Sequence, residues 1–305
     1  MLMAAINRYL ALRRALGHRL VQTEWLLRSF ARFADTAGET HLRSQRVLEW
    51  AVTTGSTPLA RGTRLRTVAR FAAFLRAEDP THELPPAGTF PTSVPRLAPY
   101  IYSPPEIERL LDAAGRLHRT YPLRRATYRT LLGLISCTGL RISEALDLRL
   151  CDLEPDCRTL LVPMGKFGKS RRVPLHPTAA EALARYLAAR RGIDVADQHL
   201  FLSAGRRRIS RSMANYTFRT IAKHAGIDTG RWRPCRIHDL RHTFATRSLE
   251  ACAADRGSVA EHFVALSTYM GHADIKHTYW YFEATPELMS GMAKAAELTA
   301  RSTAT

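Results

Sequence analysis

Hydrophobic residues recur at helical spacing through most of the first quarter of the chain. Over Met3–Leu16 they fall at Ile6, Tyr9, Leu10, Leu12 and Leu16, with Gly17 ending the run. Over Val21–Ala37 they fall at Trp25, Leu26, Phe30, Phe33 and Ala34, ahead of Gly38. Ser44 can cap a short helix that reaches Val52, and Thr63–Glu78 turns Leu65, Val68, Phe71, Ala72 and Leu75 to one side. Apolar stripes at this period mark amphipathic helices that must bury them against one another. The pattern predicts a helical bundle over residues 1–79, with its aromatics in the core.

The pattern stops at residues 80–105, which carry prolines at 80, 85, 86, 91, 95, 99, 104 and 105. Proline is poorly tolerated in helix interiors and central strands, so 80–103 reads as a semi-extended linker. Ser103, Pro104, Pro105 and Glu106 then spell a helix start: a cap, prolines in the first turn, and a glutamate at the capping-box position. Helical periodicity dominates 104–305. Tyr128–Ser136 reads as a buried helix broken by Cys137-Thr138-Gly139, and Leu140–Leu146 begins another with Ile142, Ala145 and Leu146 inward. Arg141 falls in the first turn of that helix, where the dipole disfavours a cation.

Thr159–Leu175 alternates as a β-hairpin, with Gly165 and Gly168 for the turn and Lys166 and Lys169 at its tip. Helices follow at Thr178–Arg191 and Ser212–Ala225, with a short extended piece at Leu200–Ser203 and a basic loop at Arg206-Arg207-Arg208 between them. A tail helix is expected over 286–298. The fold class is mainly α with one small β-hairpin sheet.

Charge narrows the partners. The chain has 45 Lys and Arg against 27 Asp and Glu, a formal net charge of +18 over 305 residues. Most of the excess is arginine, whose planar fork suits phosphate. Arg61, Arg64, Arg66 and Arg70 line the polar side of the last bundle helix; they read either as backbone contacts to nucleic acid or as solvation of that face. The five cysteines show no C-x-x-C spacing, and no apolar run approaches membrane-span length. The expectation is a soluble cytoplasmic, nucleoid-associated protein with no membrane partner.

The stretch R-I-H-D-L-R-H-T-F-A-T (236–246), followed by Y-M-G-H and T-Y-W-Y-F, concentrates the candidate chemistry. His238 and Arg241 stand three apart and share a helix face. Cations, imidazoles and phenols recur among few acids, the parts for attacking a phosphodiester with a side-chain oxygen. His238 and His242 could instead ligate zinc at i, i+4, but Asp239 stands where H-E-x-x-H needs its glutamate, and Arg241 would repel a cation.

Taken in order, C-T-G-L-R-I-S-E-A-L-D-L, G-K-F-G-K-S-R-R-V-P-L, H-D-L-R-H-T-F-A-T, M-G-H and T-Y-W-Y resemble the tyrosine recombinase (phage integrase) family over residues 137–282. The ending is similar to recombinases carried on transposons and genomic islands. The resemblance implies a core-binding DNA-binding domain at 1–79, the linker at 80–103, and a catalytic domain at 104–305, closing as a C-shaped clamp on duplex DNA. It implies that Arg141 and Arg241 hold the scissile phosphate, that Lys166 protonates the leaving 5′-oxygen, that His238 handles a proton, and that His272 donates to the phosphate. Tyr269, Tyr279 and Tyr281 compete as nucleophile, and register from Gly271-His272 selects Tyr281. Glu144 is implied in support of the cations. Arg61, Arg64, Arg66, Arg70, Lys169, Arg206, Arg207 and Arg208 are expected on DNA.

The implied activity is DNA cleavage and rejoining through a 3′-phosphotyrosyl link, used for integration or excision of a mobile element. It needs no metal, ATP or other cofactor. A homotetramer on double-stranded DNA is implied, monomeric off it, with accessory or co-recombinase proteins as partners. The alternatives are a non-catalytic DNA-binding derivative of a recombinase and a type IB-like topoisomerase.

Overall fold

A computed structural model describes residues 2–18, 20–93, 98–117, 121–163, 170–191, 196–227, 234–252 and 259–271. The chain divides into two compact units, Met1–Leu97 and Ala98–Thr305.

The first unit is built from α1 (Leu2–Ala15), α2 (Val21–Asp35), α3 (Ser44–Thr54) and α4 (Pro58–Glu78). Their apolar stripes meet in a single core of Ile6, Leu10, Leu27, Phe30, Val47, Trp50, Val68 and Phe71. Burying each of the large side chains contributes roughly 1.5–3 kcal/mol. Trp25 departs from the sequence expectation. It is 58% exposed, because the inward stripe of α2 runs through Leu26, Leu27, Phe30, Ala31 and Ala34 and Trp25 falls on the opposite side of the helix. Leu16 is exposed for a simpler reason: α1 ends at Ala15.

Helix α4 begins earlier than its periodicity predicts. The Thr57 hydroxyl caps it by accepting the Ala60 N–H at 3.1 Å, with Pro58 in the first turn. Helix α3 is not capped by Ser44, which is its first residue. The Glu83 carboxylate accepts the Ser44 N–H at 2.8 Å, and the buried His82 ring accepts the Leu42 N–H at 3.0 Å through Nδ1. Residues just after α4 are thereby lashed to the start of α3.

The second unit contains α5 (Pro104–Gly115), α6 (Pro122–Thr138), α7 (Ile142–Asp147), α8 (Pro177–Arg191), α9 (Arg211–His224), α10 (Ile237–Cys252) and α11 (Val259–Met270). Strands β1 (Thr159–Val162) and β2 (Arg171–Pro174) pair antiparallel, Thr159 opposite Pro174 and Val162 opposite Arg171. The Ser103–Glu106 capping box forms at the start of α5. Its core runs from Tyr102 and Leu110 through Leu131, Ile135, Leu146 and Val173 to Phe218 and Leu240. Tyr102 locks α10 in place: its N–H donates to Thr243 Oγ1 (3.0 Å), its hydroxyl to the Arg236 carbonyl (3.1 Å), and its carbonyl accepts from Arg247 (2.8 Å). Helix α10, which carries His238 and Arg241, is thus held from the first residues of this unit. No described helix is long and apolar enough to cross a membrane.

Candidate active site

Helix α6 ends at Gly139 in the left-handed conformation (φ 62°), where a Cβ would lie 2.5 Å from the Phe244 ring of α10. Only glycine lets the chain turn this close to α10. Arg141 follows as the residue that precedes α7, with extended backbone (φ −66°, ψ 142°), rather than inside its first turn. Its N–H is accepted by Glu144 at 3.0 Å, and its guanidinium meets the same carboxylate at 2.7 Å. The acid answers both the orphan N–H of the helix start and the cation placed there. Helix α10 repeats the device. The Asp239 carboxylate, 1% exposed, accepts the Arg236 N–H at 2.9 Å and pairs with its guanidinium at 2.9 Å. Asp239 is therefore a helix-start residue.

Arg241 is 2% exposed. It donates to the Gly139 carbonyl and, at 2.9 Å, to the Met270 carbonyl. Arg141 donates to the Gly271 carbonyl at 3.1 Å. Two arginines distant in sequence therefore meet at the C-terminal end of α11, where unpaired carbonyls and the negative end of the helix dipole attract guanidiniums.

A third joins them that the sequence did not single out. Arg171 of β2 donates to the Tyr269 carbonyl at 2.8 Å and forks onto Glu144 at 2.8 and 3.3 Å. Consecutive carbonyls at 269, 270 and 271 are thus taken by Arg171, Arg241 and Arg141, from β2, α10 and the start of α7. Strand alternation gives the signal: Arg171 turns inward, while Arg172 turns outward to Glu154. Burial pushes the Glu144 pKa up, but the Arg171 and Arg141 guanidiniums outweigh it and hold the carboxyl down at about 2. Glu144 is therefore ionised at neutral pH.

His238 keeps an exposed edge, yet the packing around its ring and the neighbouring Arg241, Arg236 and Arg141 charges hold its pKa down at about 4. It is neutral at pH 7 and has one nitrogen able to accept a proton. Its ring meets His242 edge to face at 4.6 Å between centroids. Among the described residues no group of three or more His, Cys, Asp or Glu is arranged to hold a metal ion. Tyr269 is half-buried and stacks on Phe244 at 5.7 Å, and burial pushes its pKa up to about 12.

Lys166, Lys169, His272, Tyr279, Tyr281 and the tail at 286–298 lie outside the described residues. Arg66 and Arg70 are exposed on α4, whereas Arg61 donates to the Gly55 carbonyl (3.0 Å) and Arg64 to Thr54 Oγ1 (3.1 Å). Arg206 and Arg207 are exposed, and Arg208 pairs with Asp147 (Nε at 2.9 Å).

The phage integrase family model matches residues 102–287. The chain belongs to this family of tyrosine recombinases. Among its relatives, the integrase/recombinase y4rB of Sinorhizobium fredii is 36% identical over 294 residues, 93% of each chain. Tyrosine recombinase XerD of Caulobacter vibrioides is 35% identical over 239 residues, 74% of this chain and 71% of that one. The fold is similar to that of the Tn1549 transposon integrase in complex with transposon right end DNA: TM-score 0.63, 18% identity, covering 97% of this chain and 99% of that one. The site described above, from Gly139 to Gly271, lies wholly within the family match.

Proposed function

We propose that the chain is a site-specific DNA recombinase that cleaves and rejoins double-stranded DNA through a 3′-phosphotyrosyl link to Tyr281. The observation that carries this reading is the delivery of Arg141 and Arg241 to adjoining carbonyls, Gly271 and Met270, in a chain of the phage integrase family. Two guanidiniums held this way suit the non-bridging oxygens of a phosphodiester and the charge that develops on them during attack. Guanidiniums then do the electrostatic work that a metal does in other phosphoryl-transfer sites, so no metal or ATP is required. The phosphotyrosine stores the bond energy for rejoining.

Tyr281 attacks phosphorus and displaces the 5′-oxygen. Lys166 supplies the proton to that leaving group, His272 donates to a phosphate oxygen, and His238, neutral at pH 7, takes a proton. Positioned proton transfer of this kind contributes about 10²- to 10⁴-fold. Glu144 keeps the cations in register. Arg61, Arg64, Arg66 and Arg70 of the first unit, with Lys169 and Arg206–Arg208 of the second, track the DNA backbone; the first unit serves as core-binding domain and the second as catalytic domain. Exchange between two duplexes calls for four subunits on DNA, working on the ends of a mobile element.

The test is covalent trapping. The protein is incubated with nicked suicide duplexes from the ends of its own genetic element, then denatured in SDS. Wild type is expected to yield DNA-linked protein in EDTA, and Tyr281→Phe none. An adduct that survives Tyr281→Phe moves the nucleophile to another tyrosine. DNA binding with no adduct from wild type favours a non-catalytic DNA-binding protein. Relaxation of supercoiled DNA without strand exchange favours a topoisomerase.

A further inference from the structure

We propose that Arg171 is a positioning residue for strand cleavage, acting through Glu144 on Arg141 and through the Tyr269 carbonyl on the turn at Gly271. The inference rests on the reading of Arg141 as a phosphate ligand, and deepens it.

The first ground is charge. Glu144 is only 9% exposed at its side chain and pairs with both Arg141 (2.7 Å) and Arg171 (2.8 Å). A buried carboxylate facing Arg141 alone would cancel the charge that an incoming phosphate needs. With Arg171 forked onto the same carboxylate, the group carries one negative and two positive charges, and Arg141 retains its attraction for an anion. All three guanidinium nitrogens of Arg171 are engaged by the Tyr269 carbonyl and Glu144, which turns the group toward the protein.

The second ground is geometry. Arg171 spans Glu144 and the Tyr269 carbonyl with one guanidinium, a span that suits a planar fork and not an ammonium. The neighbouring carbonyls go to Arg241 and Arg141. Loss of Arg171 would therefore loosen one of three latches on the last turn of α11. Gly271, at φ +63°, completes the fit: a Cβ there would lie 2.9 Å from Arg171 Nη1.

The experiment measures the single-turnover rate of adduct formation at saturating nicked duplex, and separately the Kd for intact duplex. Arg171→Ala should slow the adduct about 100-fold, the order seen when a transition-state donor is lost, with Kd changed less than about 3-fold. Arg171→Lys, which restores charge without the fork, should slow it about 10-fold. The decisive variant is Arg171→Ala with Glu144→Gln. If Arg171 works by compensating Glu144, neutralising that carboxylate should recover at least about 5-fold of the rate lost in Arg171→Ala, a non-additive outcome.

A double variant as slow as Arg171→Ala, or slower, overturns the proposal. So does a Kd that weakens in step with the rate, which would make Arg171 a DNA contact. If wild type forms no adduct, the functional reading fails, and the link is then tested without catalysis. Nuclear magnetic resonance titration of the Glu144 carboxyl should show it protonating at clearly higher pH in Arg171→Ala than in wild type; an unchanged titration overturns the proposal.

Discussion

Arginine is used in opposite ways on α4 of the first unit and at the end of α11 in the second. On α4, Arg66 and Arg70 stand exposed, while Arg61 donates to the Gly55 carbonyl and Arg64 to Thr54 Oγ1 and the Ala60 carbonyl. In the second unit Arg141, Arg171 and Arg241 are held by carbonyls and by one carboxylate from three different elements. The first kind of arginine keeps its rotamer freedom and acts as a diffuse positive charge, screened by salt beyond about 8–10 Å. The second kind gives up that freedom during folding and presents donors in one geometry, so no ordering cost remains when a ligand arrives. Surface arginines should govern how tightly DNA is held; latched ones should govern how fast it is cut.

The largest effect is expected at Arg241. Arg241→Lys keeps the charge but cannot reach the Gly139 and Met270 carbonyls with one planar group. Cleavage at saturating DNA should fall about 10²- to 10³-fold, and each orphaned acceptor should cost about 1–3 kcal/mol of stability. Single-turnover trapping and thermal unfolding of the second unit check the two halves of this. A smaller effect is expected from Gly271→Ala. Positive φ costs a residue with a Cβ about 1–2 kcal/mol, and the new methyl would press on Arg171. The adduct rate should drop about 10-fold; a rate within twofold of wild type would mean that the α11 turn does not set the site.

The smallest effect should come from Arg66→Ala and Arg70→Ala. Each should weaken DNA binding by a few fold at physiological salt, lower the log–log salt slope by about 1, and leave stability within about 0.5 kcal/mol. A salt titration of Kd reads this directly.

What the sequence made legible was local. The Ser103-Pro104-Pro105-Glu106 signal needs only neighbouring residues, and the capping box is there. His238 and Arg241 lie close together on α10, as helix period requires, and the family motifs carried the expectation for the rest. What stayed hidden was set by distant partners. Glu83 caps α3 from 39 residues away, and nothing near Ser44 announces it. Arg171 becomes important only because hairpin register turns it inward and α11 ends beside it, 98 residues later. The early start of α4 was signalled by Thr57-Pro58, but Gly62 and the arginines around it blur the apolar stripe there. Trp25 adjoins the core stripe in sequence and faces away from it in space.

The most direct test of the division between latched and surface arginines is one DNA titration. Adduct rate is measured against duplex concentration for wild type, Arg241→Lys and the Arg66→Ala/Arg70→Ala double variant. The expected result is a lowered plateau with an unchanged midpoint for Arg241→Lys, and a shifted midpoint with an unchanged plateau for the double variant. Recovery of the wild-type plateau by Arg241→Lys at high DNA, or a lowered plateau in the surface variant, would contradict it.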